Sequence, residues 1–350
     1  MLKKRLGVFA LSVVTAMSVL TGCSTSSADN EKNKAESENS IADSNTSVDE
    51  NIDKLSIVCT IFPEYDWTKE ILGSQFENAD VKYLLDKGAD LHNFQPTAQD
   101  MVTISECDLF IYVGGESDEW VEDALSTAKN KDMQVINLME VMGDKAVEEE
   151  MKEGMMPEDE EEEGEDDEEE EVEYDEHFWT SLRNAKIICG EICDSLCTLD
   201  SKNADAYKKN LASYSEKLDK MDGDFKALID SASEKTLVFG DRFPFRYFVD
   251  DYGLDYYAAF VGCSAETEAS FETITFLANK IDELNCDTIF VIENSDHSIA
   301  EGIISNTQNK NQNIAELNSM QSVTADMVKN GTTYLGLMQK NYDVLKEALS

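Results

Sequence analysis

From 203 to 233 apolar side chains recur at helical spacing, at Ala206, Tyr207, Leu211, Tyr214, Leu218, Met221, Phe225, Leu228 and Ile229, with no proline to interrupt them. The pattern predicts one long helix, weakest at Gly223, which at about 1.5 Å per residue would extend roughly 45 Å, the length of a lobe. The flanking sequence decides its use. Before it, short apolar runs at 54–62, 81–85, 109–113 and 134–138 alternate with helical patterns at 65–72, 97–106 and 119–128. After it, runs at 236–240, 254–260 and 288–292 alternate with helical patterns at 245–252, 271–284, 299–307 and 333–349. Such alternation predicts parallel, doubly wound sheets. The expected fold is α/β: two Rossmann-like lobes with parallel sheets, 54–201 and 235–350, joined by one long bridging helix, 202–234. A coiled-coil dimerisation helix is the rival use, but alternating lobes on both sides favour a bridge, and a monomer is expected.

Two lobes leave a cleft, the default place for a site built from both. The chain has only three histidines, His92, His177 and His297, and each falls where a strand or helix is about to start or has just ended. His92 lies on a strand-to-helix connection, where open parallel sheets bind ligands. That economy points to a metal site in the interlobe cleft, although a single loop histidine is usually an ordinary surface residue.

At the N-terminus Lys3, Lys4 and Arg5 precede the apolar run Leu6 to Leu20, too short for a membrane span and suited to a secretory signal peptide. The run closes on Leu20-Thr21-Gly22-Cys23, which resembles a bacterial lipobox, with Cys23 as the lipidated residue. Residues 24–53 are polar and aperiodic and read as a disordered tether. The expected location is extracytoplasmic, lipid-anchored to the outer face of the cytoplasmic membrane, with no other membrane contact.

A net charge of −44 argues against nucleic acid or anionic membrane as partners and favours cations. Residues 148–176 hold 20 acidic side chains against one base, Lys152, and so carry −19 of that charge. Like charges at this density repel, and the segment reads as a disordered acidic insertion, either solvated without a role or gathering cations weakly. Setting Cys23 aside leaves seven cysteines, an odd number that forbids complete internal pairing. Cys189, Cys193 and Cys197 share one helix face and read as small buried residues, because thiols at that pitch lack the turn-supplied spacing of iron–sulfur or zinc sites.

His92-Asn93-Phe94-Gln95-Pro96 resembles the His-x-aromatic-x-Pro signature of the zinc- and manganese-binding solute-binding lipoproteins of bacterial ABC importers. Asp175-Glu176-His177-Phe178-Trp179-Thr180-Ser181 resembles that family's second ligand segment. The likeness runs from 54 to 349 and implies that His92 and His177 are ligands. The third ligand departs from the pattern: an ungapped count from Tyr252-Gly253-Leu254 puts Arg242 there, and a guanidinium cannot ligate. A one-residue shift puts Asp241 in its place. The strand end Glu293-Asn294-Ser295-Asp296-His297 is similar to the family's strand-end Glu and following Asp, so Glu293, Asp296 and His297 complete the candidates. Cys263-Ser264-Ala265-Glu266 resembles a segment that carries fold rather than chemistry.

The resemblance implies capture of a divalent metal and delivery to the membrane permease of an ABC importer. Imidazoles with carboxylates suit Zn2+, with Mn2+ the alternative and a metal-dependent surface adhesin a further one. No enzyme is expected: His-Glu-x-x-His, Gly-x-Ser-x-Gly and phosphate-cradling glycine motifs are all missing from the sequence.

Overall fold

A β-branched, apolar run such as Leu55–Cys59 buries itself on both faces only when helices cover the sheet, and the chain supplies them in order. In a computed structural model, which describes residues 54–156, 173–264 and 268–349, the first lobe runs β1 (Leu55–Cys59), α1 (Phe62–Leu72), β2 (Ala79–Tyr83), α2 (Ala98–Glu106), β3 (Leu109–Tyr112), α3 (Trp120–Ser126), β4 (Gln134–Asn137), α4 (Leu138–Met142) and α5 (Leu182–Leu199). Its strands form one parallel sheet in the order β2-β1-β3-β4. Then comes the long helix α6 (Ala204–Ser231), 28 residues, which buries Tyr207, Tyr214, Leu218, Phe225 and Ile229 along one stripe.

The second lobe contains β5 (Thr236–Val238), α7 (Arg246–Tyr252), β6 (Asp255–Tyr257), α8 (Phe271–Leu284), β7 (Thr288–Ile292), α9 (Ser298–Asn306), β8 (Asn313–Leu317), α10 (Ala325–Lys329) and α11 (Tyr334–Ala348). Strands β5 and β6 pair in parallel, as do β7 and β8, and a parallel bridge Phe239–Phe290 connects the two pairs. The order β6-β5-β7-β8 thus repeats the arrangement of the first lobe. Strand β8 and helix α10 were not expected: Asn313–Leu317 has mixed exposure along its length and so lacks the continuous apolar run of its neighbours.

The lobes are not separate cores. One buried cluster runs from Ile57 and Trp67 through Phe225 to Met338 and Leu345. Polar contacts cross it: Tyr334 donates its amide to Asp66 (2.8 Å) and its hydroxyl to the Trp179 carbonyl (2.7 Å), and Trp179 donates its indole N–H to the Ser319 carbonyl (2.7 Å). Both α6 and α11 pack against α1 of the first lobe.

The signal, tether and Cys23 readings lie outside the described residues, as does the acidic run 157–172. The two ends of that insertion differ from the expectation of a wholly disordered segment. Glu148 pairs with Tyr174 in an antiparallel bridge, and Val147 to Met156 forms a strap along the second lobe. There Glu150 pairs with Arg246, Lys152 pairs with Asp255 and sits over the Tyr256 ring, and the Met156 amide donates to Ala259 (2.9 Å). Partners of opposite sign relieve the repulsion that the sequence alone suggests. Cys189 and Cys193 are buried and Cys197 is partly so, all as free thiols. Among the described residues no helix is long and apolar enough to cross a membrane.

At the start of α1, Glu64 reaches back to accept from the amides of Thr60 (2.8 Å) and Ile61 (3.3 Å), and is wholly buried. Burial raises its pKa from 4.5 to about 8, with Asp118 adding to the shift and the amides opposing it. A carboxyl raised by folding stabilises fully below its unfolded pKa and loses that contribution as pH rises through the folded value. The Tm of the metal-free chain should therefore fall as pH rises from about 4.5 to about 8. In Glu64→Gln, which keeps an acceptor but has no proton to lose, the slope in that window should flatten; thermal melts across the range check it.

Candidate metal centre

Two loops at the carboxyl ends of strands, and a third segment after the acidic insertion, build the cleft on the first-lobe side. After β2, Asp90 caps a short 3-10 turn by accepting from the His92 amide (3.0 Å), which fixes the backbone that carries the ring. After β3, Gly114 and Gly115 take positive φ, and Asp118 accepts from the amides of Val113 (2.9 Å) and Gly114 (3.0 Å). A Cβ on Gly115 would lie 2.3 Å from Glu176 Oε1, so the close approach of Glu176 requires glycine there. The third segment, Asp175–His177, precedes a 3-10 turn and then α5; the expected helix opening at His177 is displaced to Leu182, where Ser181 is the N-cap.

These loops bring the two imidazoles together. His92 Nε2 and His177 Nε2 are 3.1 Å apart, with ring centroids at 5.1 Å. An ion held tetrahedrally at about 2.0–2.1 Å from two nitrogens separates them by about 3.3 Å, so little movement would admit it. Each outer nitrogen is engaged. His177 Nδ1 lies 3.1 Å from Asp175 Oδ1, and with Nδ1–H donating to that oxygen the Nε2 lone pair faces the cleft. His92 Nδ1 meets Ser117 Oγ at 2.7 Å, with Glu176 Oε2 at 3.7 Å.

A third candidate donor comes from the second lobe, and it is a thiol. Cys263 Sγ and the two histidines offer ligand atoms all within 4.8 Å of one another. Beyond β6 the chain is guided by the Ala259 amide donating to the Asp241 carbonyl (3.1 Å) and by a bridge between Arg242 and Phe260. Gly262 then passes close to the site: a Cβ there would lie 3.1 Å from His177 Cε1 and 2.9 Å from the Phe243 carbonyl. Glu149, from the strap, accepts from the Cys263 amide at 2.9 Å.

The other sequence candidates are placed differently. Asp241, Glu293, Asp296 and His297 do not complete a triad with the two imidazoles within 4.8 Å among the described residues. Asp241 accepts from the Arg242 amide (2.9 Å) and faces the Ile292 amide (3.4 Å). Glu293 is buried and accepts from the amides of Ser319 (2.6 Å), Gln321 (3.1 Å) and Ser322 (3.3 Å), which makes it a loop anchor. Asp296 is exposed and caps Ser298 (2.8 Å), while His297 stands before α9 at φ 66°. Asp241, Glu293 and Asp296 line a neighbouring cavity of about 410 Å³. The carboxylates expected from the sequence do not join the two imidazoles among the described residues, where the nearby second-lobe donor is the Cys263 thiol; Asp241, Glu293 and Asp296 accept from backbone amides. The sequence signal available was Cys263 directly after a glycine beyond a strand.

The surroundings favour a cation. Burial and the adjacent His177 hold the His92 pKa well below its ordinary value, so this ring is neutral. Burial also opposes charge on His177, but Asp175, Glu176 and Glu149 more than offset it and its pKa is raised. Burial raises Glu176 to about 7 despite hydrogen bonding from Ser117, and Glu176 Oε2 has no hydrogen-bond partner. Burial, then Asp175, Glu149 and Glu176, push the Cys263 thiol well up. A cavity of about 480 Å³ opens beside the cluster and is lined by His92, Cys263 and the carboxylates of Glu116, Glu119, Glu149 and Glu176.

A family model described as the periplasmic component A of zinc-uptake complexes matches residues 57–348. The zinc-binding lipoprotein AdcA of Streptococcus pneumoniae is 30% identical over 299 residues, 84% of this chain and 56% of that protein. The chain thus spans about half the length of the streptococcal relatives it matches. The high-affinity zinc uptake system protein ZnuA of Bacillus subtilis is 29% identical over 303 residues, 87% of this chain and 90% of that protein. The crystal structure of the Zn(II)-bound ZnuA-like domain of Streptococcus pneumoniae AdcA matches with a TM-score of 0.64 at 27% identity, covering 85% of this chain and 99% of that domain.

Because Asp175 fixes both the tautomer and the orientation of His177, Asp175→Asn should weaken transition-metal binding by about 10–100-fold, the usual cost of losing an outer-shell partner. Chelator competition on the full chain measures it.

Proposed function

The chain belongs to the family of the periplasmic component A of zinc-uptake complexes, and from that premise we propose that it captures Zn2+ outside the cytoplasmic membrane and delivers it to the permease of an ABC importer. The observation that carries the proposal is the triad of His92, His177 and Cys263, with His177 buried and the other two partly so, two nitrogens and one sulfur from both lobes within 4.8 Å of one another. A fourth position is left to water or a neighbouring carboxylate. Anchoring through a lipid on Cys23 fits this role, since it would hold the binding body beside the permease. The protein acts by binding and release, without turnover.

The donor set decides between metals. Thiolate and imidazole ligands suit zinc, whereas manganese prefers oxygen donors and stands lowest in the divalent affinity order. The manganese alternative rests on carboxylates completing the site, and a thiol in that place weakens its chemical basis.

Capture must displace protons. The Cys263 thiol and the His177 ring both have raised pKa values, and the metal takes the deprotonated forms. Both shifts give the same sign: zinc affinity should rise with pH, by about tenfold per unit for each proton released. Competition with a chromophoric zinc chelator at several pH values checks the slope. The same assay should show that His177→Ala and Cys263→Ser each lose the single tight site. Cobalt(II) substitution should give a thiolate-to-metal charge-transfer band that Cys263→Ser lacks. Tight zinc binding that survives both substitutions, or a cobalt complex with no thiolate band, would refute the triad.

A further inference from the structure

The metal reading leaves one buried cation in the cleft without a task. Arg242 stands where the sequence count led to a third ligand, and a guanidinium cannot be one. Its side chain is 12% exposed and that of its partner Asp90 is 16% exposed, although the two residues come from different lobes. Asp90 uses its two oxygens for two purposes. Oδ1 accepts from the His92 amide at 3.0 Å, and Oδ2 accepts from Arg242 Nη2. On the opposite side, Arg242 Nη1 donates to the carbonyl of Ser264 at 3.3 Å, one residue beyond Cys263. One planar group therefore touches the loop that presents an imidazole and the turn that presents the thiol.

We propose that Arg242 is a positioning residue for the metal centre: by clamping Asp90 to the Ser264 carbonyl it sets the spacing between His92 and Cys263, and so governs how long a bound ion is retained. This rests on the triad reading above. The chemistry suits the task, because guanidinium N–H groups diverge in a fixed plane and serve two acceptors at once, which a lysine ammonium does with less definition. Shielding from water keeps the pair strong and makes it costly to remove one partner alone. The fold does not depend on the clamp: the lobes already share a core and are tied by α6, α11 and the Trp179–Ser319 contact. Its effect is then local to the two ligand-bearing loops. The backbone supports the geometry, since the Arg242 amide is held by Asp241 (2.9 Å) and its backbone by an isolated bridge to Phe260.

The clamp and a bare charge effect predict opposite signs. A positive group near a bound cation repels it, so neutralising Arg242 should tighten zinc if charge alone matters. If the guanidinium positions the loops, neutralising it should loosen zinc. The test measures release of zinc from the full chain into excess chelator for wild type, Arg242→Gln, Arg242→Lys, Asp90→Asn and the double variant Asp90→Asn/Arg242→Gln. Asp90→Asn keeps an oxygen for the His92 amide and removes only the charge facing the guanidinium. The expected result is release about 10–100-fold faster in Arg242→Gln and Asp90→Asn, with Arg242→Lys between them and wild type. The double variant should be no faster than the faster single one, as for residues acting through one contact. Retention equal to or longer than wild type in Arg242→Gln, or effects that multiply in the double variant, would overturn the clamp. Should Arg242→Gln fail to fold, Asp90→Asn decides alone, and wild-type release from it overturns the proposal. A wild-type chain that holds no zinc would instead overturn the triad reading.

Discussion

Two imidazoles buried edge to edge, with their Nε2 atoms 3.1 Å apart, set the terms for the rest of this molecule. Such a pair is electrostatically awkward: the two rings cannot both take a second proton without setting like charges side by side. The structure makes the arrangement tolerable by engaging both outer nitrogens, one with Asp175 and the other with Ser117. It adds Glu149 and Glu176 near the pair, so the local field attracts a cation. The preorganised geometry and the negative field are complementary, since a divalent ion would satisfy both.

The thiol beside the imidazoles contrasts with how the second lobe uses its carboxylates. Glu293 gathers the amides of the 319–322 loop, Asp241 holds its own strand end, and Asp296 caps α9. Each is a carboxylate at a strand or helix end, where unpaired amides compete for it. The Cys263 thiol meets the Glu176 backbone and the Glu149 carboxylate beside the imidazoles, and Gly262 lets its turn pass against His177. Arg242 fits the same logic. It neutralises Asp90, which would otherwise be an unbalanced charge beside the His92 loop.

The acidic insertion joins this arrangement through its ends. Its first part crosses to the second lobe as a strap and delivers Glu149 to the Cys263 amide, and its return leads straight into Asp175, Glu176 and His177.

Much of this was legible in the sequence. The long helix, the strand–helix alternation and most element positions follow from periodicity, because burying one face of a helix or both faces of a parallel strand leaves a repeating apolar pattern. The pairing of His92 with His177 was readable from their loop positions and flanking motifs, though the meeting itself is a matter of space. Hidden from the sequence were strand β8, whose exposure is mixed, the ordered strap, whose partners lie about 100 residues away, and the thiol. Local patterns determine which segments become strands and helices, since those choices are made by near neighbours. Which of several carboxylates and thiols comes to stand beside the two imidazoles was decided only by the tertiary fold, because it depends on how segments distant in sequence are brought together.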